Sequence, residues 1–316
     1  GVLLIEGEAG VGKTRLVEEI VTGARWREVA VGLGRGEDPA ESPAYGPLTA
    51  ALRAVLTPLR AVQLRRLRDD TELREVSTLL PEIAEWLPNL PPRADLPPAL
   101  ARVRLLDALV QVLLGLGRIT PHLLILEDLH RADVATLDAL TRLVPQLRSA
   151  RVLVLLTARP EEAAARPQVL AALQELDRAG ALERITLPRL AALQVAEFVG
   201  RALGNPPAGL AEHLYRETAG NPLFLVETLS AWRDEGILIT DRPDHWIWHG
   251  TGDVSPGRSD VPSGIQAVIQ RRFDRLTPPA RQALDAAAVI GAEVELEVLR
   301  RGERRRLSIR PVARAA

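Results

Sequence analysis

The chain has 316 residues, 47% of them hydrophobic, and a net charge of −1; this suffices for two or three domains with sizeable cores and lacks the overall basicity of a nucleic-acid binder. The absence of cysteine excludes disulfides, thiolate catalysis and cysteine-ligated metal, and the five histidines show no metal-ligand spacing. The most apolar helical stretch, residues 105–117, is interrupted by Asp107 and Gln111 and too short for a bilayer, and no signal peptide precedes the first strand, so no membrane partner and a cytoplasmic setting are expected.

Methionine is absent, even at position 1, so the chain is expected to be a fragment or a processed piece. An apolar strand, residues 2–5, runs into Gly7-Glu8-Ala9-Gly10-Val11-Gly12-Lys13-Thr14, followed by a helix to about residue 22. This is the Walker A pattern in its strand–loop–helix context. Glycines at 7, 10 and 12 let the backbone fold tightly and turn its N–H groups towards one anion. The helix adds its positive N-terminal end. Residues 7–15, with Arg15 the last, are the candidate ATP site. Lys13 would reach the β- and γ-phosphates, and the Thr14 hydroxyl would ligate Mg²⁺. Lys13 is also the only lysine among 40 lysine and arginine residues. A slim point charge fits a phosphate cradle that a planar guanidinium would overfill.

Residues 28–33 alternate like a short strand, and residues 34–47 form a loop rich in Gly, Pro, Ser and Glu. A helical pattern covers 48–86, broken at Pro58 and Pro81; residues 88–98 are proline-rich, and 99–116 form a long helix. Residues 123–126 are continuously apolar, as in a parallel strand buried on both faces, and end in Glu127-Asp128. Two carboxylates at such a strand end are the Walker B arrangement: one holds Mg²⁺ and its neighbour orients the attacking water. Glu precedes Asp here, which blurs the division of roles. Asp133 is expected to cap a helix over 134–147. A third strand, 151–156, ends in Thr157-Ala158-Arg159; Arg159 is either a phosphate sensor or a surface loop residue. With a helix over 168–178 and a strand over 184–187, the predicted fold is α/β, with a five-stranded parallel sheet.

From residue 190 strands nearly vanish. Helices are expected at 192–203, 208–218 and 223–235, then a hairpin from 237–239 and 246–248, a linker over 250–257, and helices at 261–276 and 279–290. Trp246 and Trp248 could stack on bases or pack on a neighbouring helix. The arginine-rich tail from residue 300 could be a nucleic-acid arm or a solvated end.

Taken in order, GEAGVGKTRL, LLILEDLHRAD, LLTARPEE and ETAGNPLFLVE resemble the ATPase module of the signal-transduction ATPases with numerous domains, over about residues 1–300. The pattern is similar to that of large LuxR-type transcriptional regulators and of AAA-type modules attached to some adenylate cyclases and kinases. The resemblance implies a P-loop NTPase domain over 1–189 and a helical lid over 190–236. It also implies a hairpin and partial winged-helix segment over 237–300; the basic tail over 301–316, by its composition, is expected to be unstructured. It places Lys13, Glu127, Asp128 and Arg159 in catalysis, Thr14, Glu127 and Asp128 on Mg²⁺, and Thr157 beside the nucleotide. Pro222 of Gly220-Asn221-Pro222 would pack on adenine. Three departures stand out: no Gly-Arg-Glu segment precedes the first strand, Arg131 replaces a tryptophan, and an arginine-rich tail replaces further helices. The base side of the pocket is therefore expected to be incomplete, with weak affinity and little preference for ATP over GTP.

The expected function is an ATP/ADP-binding, slowly hydrolysing switch that gates an output domain or partner protein not in this chain. Nucleotide-dependent oligomerisation is an accompanying expectation, with DNA reached only indirectly. The alternatives are an ATPase motor acting as a ring, which would need an arginine finger across an interface, and direct DNA binding through the C-terminal segment.

Overall fold

The apolar runs of the first half all pair in one direction. A computed structural model describes residues 1–37, 43–242, 245–249, 281, 294–300 and 303–309, and the chain divides into two compact units, Gly1–Arg189 and Leu190–Ala316.

In the first unit, β1 (Val2–Glu6), β2 (Ala30–Arg35), β3 (His122–Glu127), β4 (Val152–Ala158) and β5 (Leu182–Thr186) form one parallel sheet in the order β2-β3-β4-β1-β5. The predicted α/β class and five-stranded parallel sheet of a P-loop NTPase are thus found. Alternate side chains serve two cores. Leu4, Leu124, Leu126, Val154 and Leu156 join the larger core, and Ile5, Leu123, Ile125 and Leu155 meet Val17 of α1 (Lys13–Trp26) on the other face.

Between β2 and β3 lie α2 (Gly46–Val55), α3 (Pro58–Arg65), α4 (Asp70–Val76), α5 (Glu82–Trp86) and α6 (Pro98–Ile119). Pro58 opens α3 and Pro81 precedes α5, as the breaks at these prolines predict. The proline-rich stretch is anchored by Arg93, which pairs at 3.2 Å with buried Glu75; Arg104 pairs with the same carboxylate at 3.2 Å. Beyond β3, α7 (Val134–Gln146) starts at its Asp133 cap, whose carboxylate accepts from the Thr136 amide at 2.9 Å. After β4 come α8 (Pro160–Ala164) and α9 (Pro167–Arg178).

Strand β2 runs two residues beyond its predicted end. Its alternating Gly32 and Gly34 form a face without side chains on which α2 lies. A Cβ at Gly34 would stand 1.8 Å from the Pro47 carbonyl oxygen, and one at Gly32 would stand 2.1 Å from that of Ala51. Gly34 reads as loop in the sequence, but both glycines mark a close backbone approach.

The second unit contains α10 (Ala192–Leu203), α11 (Leu210–Thr218), α12 (Pro222–Asp234) and an antiparallel hairpin of β6 (Leu238–Arg242) and β7 (His245–Trp248). The hairpin is not separate from the helices, as a boundary at residue 237 would have it. Leu238 lies in one core with Val195, Leu214, Leu225 and Trp232, and Trp248 stacks on Trp232 at 6.2 Å between centroids. Three short helices bury too little apolar surface alone, and the tryptophans extend it. The expectation of an unstructured tail over 301–316 is corrected at residues 303–309. Strands β8 (Val294–Arg300) and β9 (Glu303–Ile309) pair antiparallel, with Leu296 opposite Leu307, Glu297 opposite Arg306 and Arg300 opposite Glu303. The expected linker at 250–257, the helices at 261–276 and 279–290 and the winged-helix segment they imply lie outside the described residues, Arg281 apart.

Two outcomes follow from this packing. Gly34→Ala forces the α2 backbone off β2 and should cost about 3 kcal/mol in urea unfolding. His122 is buried at the start of β3, its Nδ1–H donated to the Thr120 carbonyl at 2.6 Å and its Nε2 without a partner. Burial pushes its pKa down to about 4. The unfolded chain takes up this proton near pH 6.5, so stability is intact above about pH 6.5 and falls as pH drops to about 4, by about 3 kcal/mol at most. Urea midpoints measured across this window should depend less on pH in His122→Gln.

Candidate functional site

Helix α1 begins at Lys13 because Gly12, at φ 105°, turns the chain through the left-handed region just before it. Gly10 does the same at φ 79°, and the loop closes through the Val11 amide on the Glu8 carbonyl at 3.4 Å. Lys13 is buried, and its ammonium donates to the carbonyls of Gly7 at 2.6 Å and Glu8 at 2.9 Å. The loop is wrapped around its own lysine. Burial lowers the Lys13 pKa below its ordinary value; Arg159 acts in the same direction, and Asp128, Glu161 and Glu162 oppose it. The charges acting on this ammonium thus come from the end of β3 and from the β4–α8 junction.

The sheet order explains this convergence. Strand β4 lies between β1 and β3, so its C-terminal end separates the loop from the acid pair. Thr157, buried there, accepts the Asp128 amide on its hydroxyl at 3.0 Å. Asp128 takes a left-handed backbone, φ 54° and ψ 49°, which aspartate tolerates better than most residues.

The two acids differ. Glu127 is buried and accepts from Arg35 of β2 at 2.6 Å, while Asp128 is only partly buried. The Glu127 hydrogen bond holds the Arg35 guanidinium above its ordinary pKa. Arg35 escaped the sequence reading; its one signal was a charged residue ending a strand that pairs in parallel beside β3. His130 also escaped. It lies in the 3₁₀ turn Leu129–Arg131, 1% exposed, with Nε2 3.2 Å from a Glu162 oxygen and 3.9 Å from an Asp128 oxygen. Burial keeps its pKa low against the pull of Glu162 and Asp128, with Arg159 and Lys13 reinforcing burial.

The remaining candidates are placed as follows. Arg159 donates to Glu162 at 2.5 Å. Thr14 is exposed at the start of α1, and Arg15 is exposed and pairs with Glu18 at 3.2 Å and Glu19 at 2.6 Å on its own helix. The Glu8 carboxylate pairs with Arg189 at 2.6 Å. Pro222 belongs to the second unit, where it opens α12 after the Asn221 cap. The residues fit a nucleoside triphosphate: the glycine-rich loop holds a buried lysine at a helix N-terminus, and its one acidic side chain, Glu8, is paired with Arg189. They also fit a hard divalent cation, for which the Thr14 hydroxyl and the Asp128 carboxylate are oxygen donors.

Residues 1–156 match the family model of the AAA ATPase domain. The chain carries a P-loop ATPase module of the AAA type. Among solved structures it is similar to a signal transduction ATPase with numerous domains, bearing a tetratricopeptide repeat sensor, from Pyrococcus horikoshii. The identity is 13% and the TM-score 0.48, over 93% of this chain and 33% of that one. It is also similar to the Walker-type ATPase of Pyrococcus abyssi at 12% identity and TM-score 0.46, over 92% and 75% of the two chains. A third is Drosophila ORC bound to GC-rich DNA and Cdc6, at 13% identity and TM-score 0.30, over 86% of each. The chain thus spans 33% of the length of the Pyrococcus horikoshii protein. No protein of curated function matches the sequence. Among the described residues of this ATPase no helix is long and apolar enough to cross a membrane.

Removing Arg35 leaves Glu127 buried beside the site without its counter-charge. Arg35 is half exposed, so Arg35→Ala should cost about 2 kcal/mol rather than the larger penalty of a fully buried pair. In a double-mutant cycle of urea unfolding, Glu127→Gln should recover part of that loss.

Proposed function

We propose that the chain is an ATP-binding, slowly hydrolysing regulatory switch within a larger cytoplasmic signalling or transcription-regulating protein, gating an output domain or partner that lies outside it. The observation that carries this proposal is the state of the groups around Lys13. Its ammonium is engaged by the Gly7 and Glu8 carbonyls, Glu127 by Arg35 and Arg159 by Glu162. Lys13, Glu127 and Arg159 each have an internal partner to release before acting on a nucleotide, which favours slow turnover over that of a motor.

In this mechanism Lys13 exchanges its two carbonyl acceptors for oxygens of the β- and γ-phosphates, and the amides of residues 10–14 hold the same phosphates. Thr14 and Asp128, with Glu127 behind them, would hold Mg²⁺, which supplies neutralisation of the phosphate charge. Thr157 fixes the Asp128 backbone from which the carboxylate projects. Arg159, released from Glu162, reaches developing charge on the γ-phosphate.

Calorimetric titration with ATP, ADP and GTP, with and without Mg²⁺, tests this together with steady-state hydrolysis. Wild type should bind ATP with strong Mg²⁺ dependence and turn over below about 1 s⁻¹, the low end of enzyme rates. Lys13→Ala and Lys13→Arg should both lose binding with an unchanged circular dichroism spectrum. Normal ATP binding by either variant, or wild-type turnover well above that rate, overturns the proposal.

A further inference from the structure

The imidazole of His130 is the least explained polar group of the site. Its backbone carbonyl accepts from Arg166 at 2.6 Å, which fixes the turn, and its Nδ1 accepts the Arg159 amide at 3.4 Å. In the neutral ring Nδ1 is then the acceptor and Nε2 carries the hydrogen. That Nε2–H is buried and makes no hydrogen bond, although carboxylates of Glu162 and Asp128 lie at 3.2 and 3.9 Å. His122 also has a buried Nε2 without a partner, but only the His130 ring has carboxylates of the site within 4 Å of that atom.

The two neighbouring carboxylates belong to different parts of the site. Asp128 follows β3 and acts electrostatically on Lys13, whereas Glu162 lies on α8 and binds the Arg159 guanidinium through its other oxygen. One donor thus stands between the acid and the partner of the arginine. Resting on the ATP-hydrolysis reading above, we infer that His130 is a positioning residue: its Nε2–H aligns the Asp128 carboxylate for hydrolysis and, in leaving Glu162, couples that alignment to Arg159. Donation to Asp128 fixes one carboxylate oxygen and directs the other into the site.

Comparing His130→Phe with His130→Gln tests this. Phenylalanine keeps the ring volume and lacks the donor, while glutamine places an amide N–H near the Nε2 position. Steady-state hydrolysis and ATP titration should show kcat lowered about 10- to 100-fold in His130→Phe, with KM and Kd for ATP within about threefold of wild type. His130→Gln should recover most of kcat. Combining His130→Phe with Asp128→Asn should lower kcat little beyond Asp128→Asn alone. Wild-type kcat in His130→Phe overturns the inference, as does a parallel loss of kcat and ATP affinity in both variants. Absence of turnover in the wild type removes the hydrolysis reading and this inference with it, whereas turnover that survives in His130→Phe removes this inference alone.

Discussion

Parallel pairing of β3, β4 and β1 is the constraint on which the rest of the site depends. It brings three strands to a common edge at their C-terminal ends, each delivering its next residues there: the loop around Lys13 after β1, Asp128 after β3 and Arg159 after β4. Because β4 lies between the other two, its last polar residue can hold the backbone of the acid, as Thr157 does. Moving β4 to an outer position would leave the loop and the acids adjacent with nothing polar between them. A register slip by one residue would turn Thr157 to the opposite face.

Arginine carries the secondary electrostatics almost alone. Arg35 neutralises Glu127, Arg189 turns Glu8 away from the loop, and Arg166 pins the turn that holds His130. A guanidinium suits each task, since it stays charged and keeps several donors when half buried. Such a division keeps carboxylates near the phosphate position without letting their charge repel phosphate, and lets Lys13 act there without a fixed counter-ion of its own.

What could be read beforehand divides along physical lines. The loop at residues 7–14 and the apolar run into Glu127 were legible because backbone geometry and two-sided burial dictate residue type locally. The extension of β2 was not, because the glycines that permit α2 to approach are the same residues that fill loops, and only the Pro47 and Ala51 carbonyls distinguish the cases. Hairpin β8–β9 was hidden by composition: a tail rich in arginine reads as solvated, and only the backbone register shows the pairing. The partnership of Arg35 with Glu127 spans 92 positions and had no local signature.

Side-chain amine chemistry on this chain has a single address. Lys13 is the only lysine, it is buried, and both of its hydrogen bonds run to the loop that would cradle phosphate. Acylation, carbamylation or conjugation of a lysine here cannot decorate the surface; it must open the loop. On the function proposed above, modification of Lys13 and nucleotide binding would exclude one another, and surface-lysine labelling reagents should leave this side chain unmodified while the chain is folded.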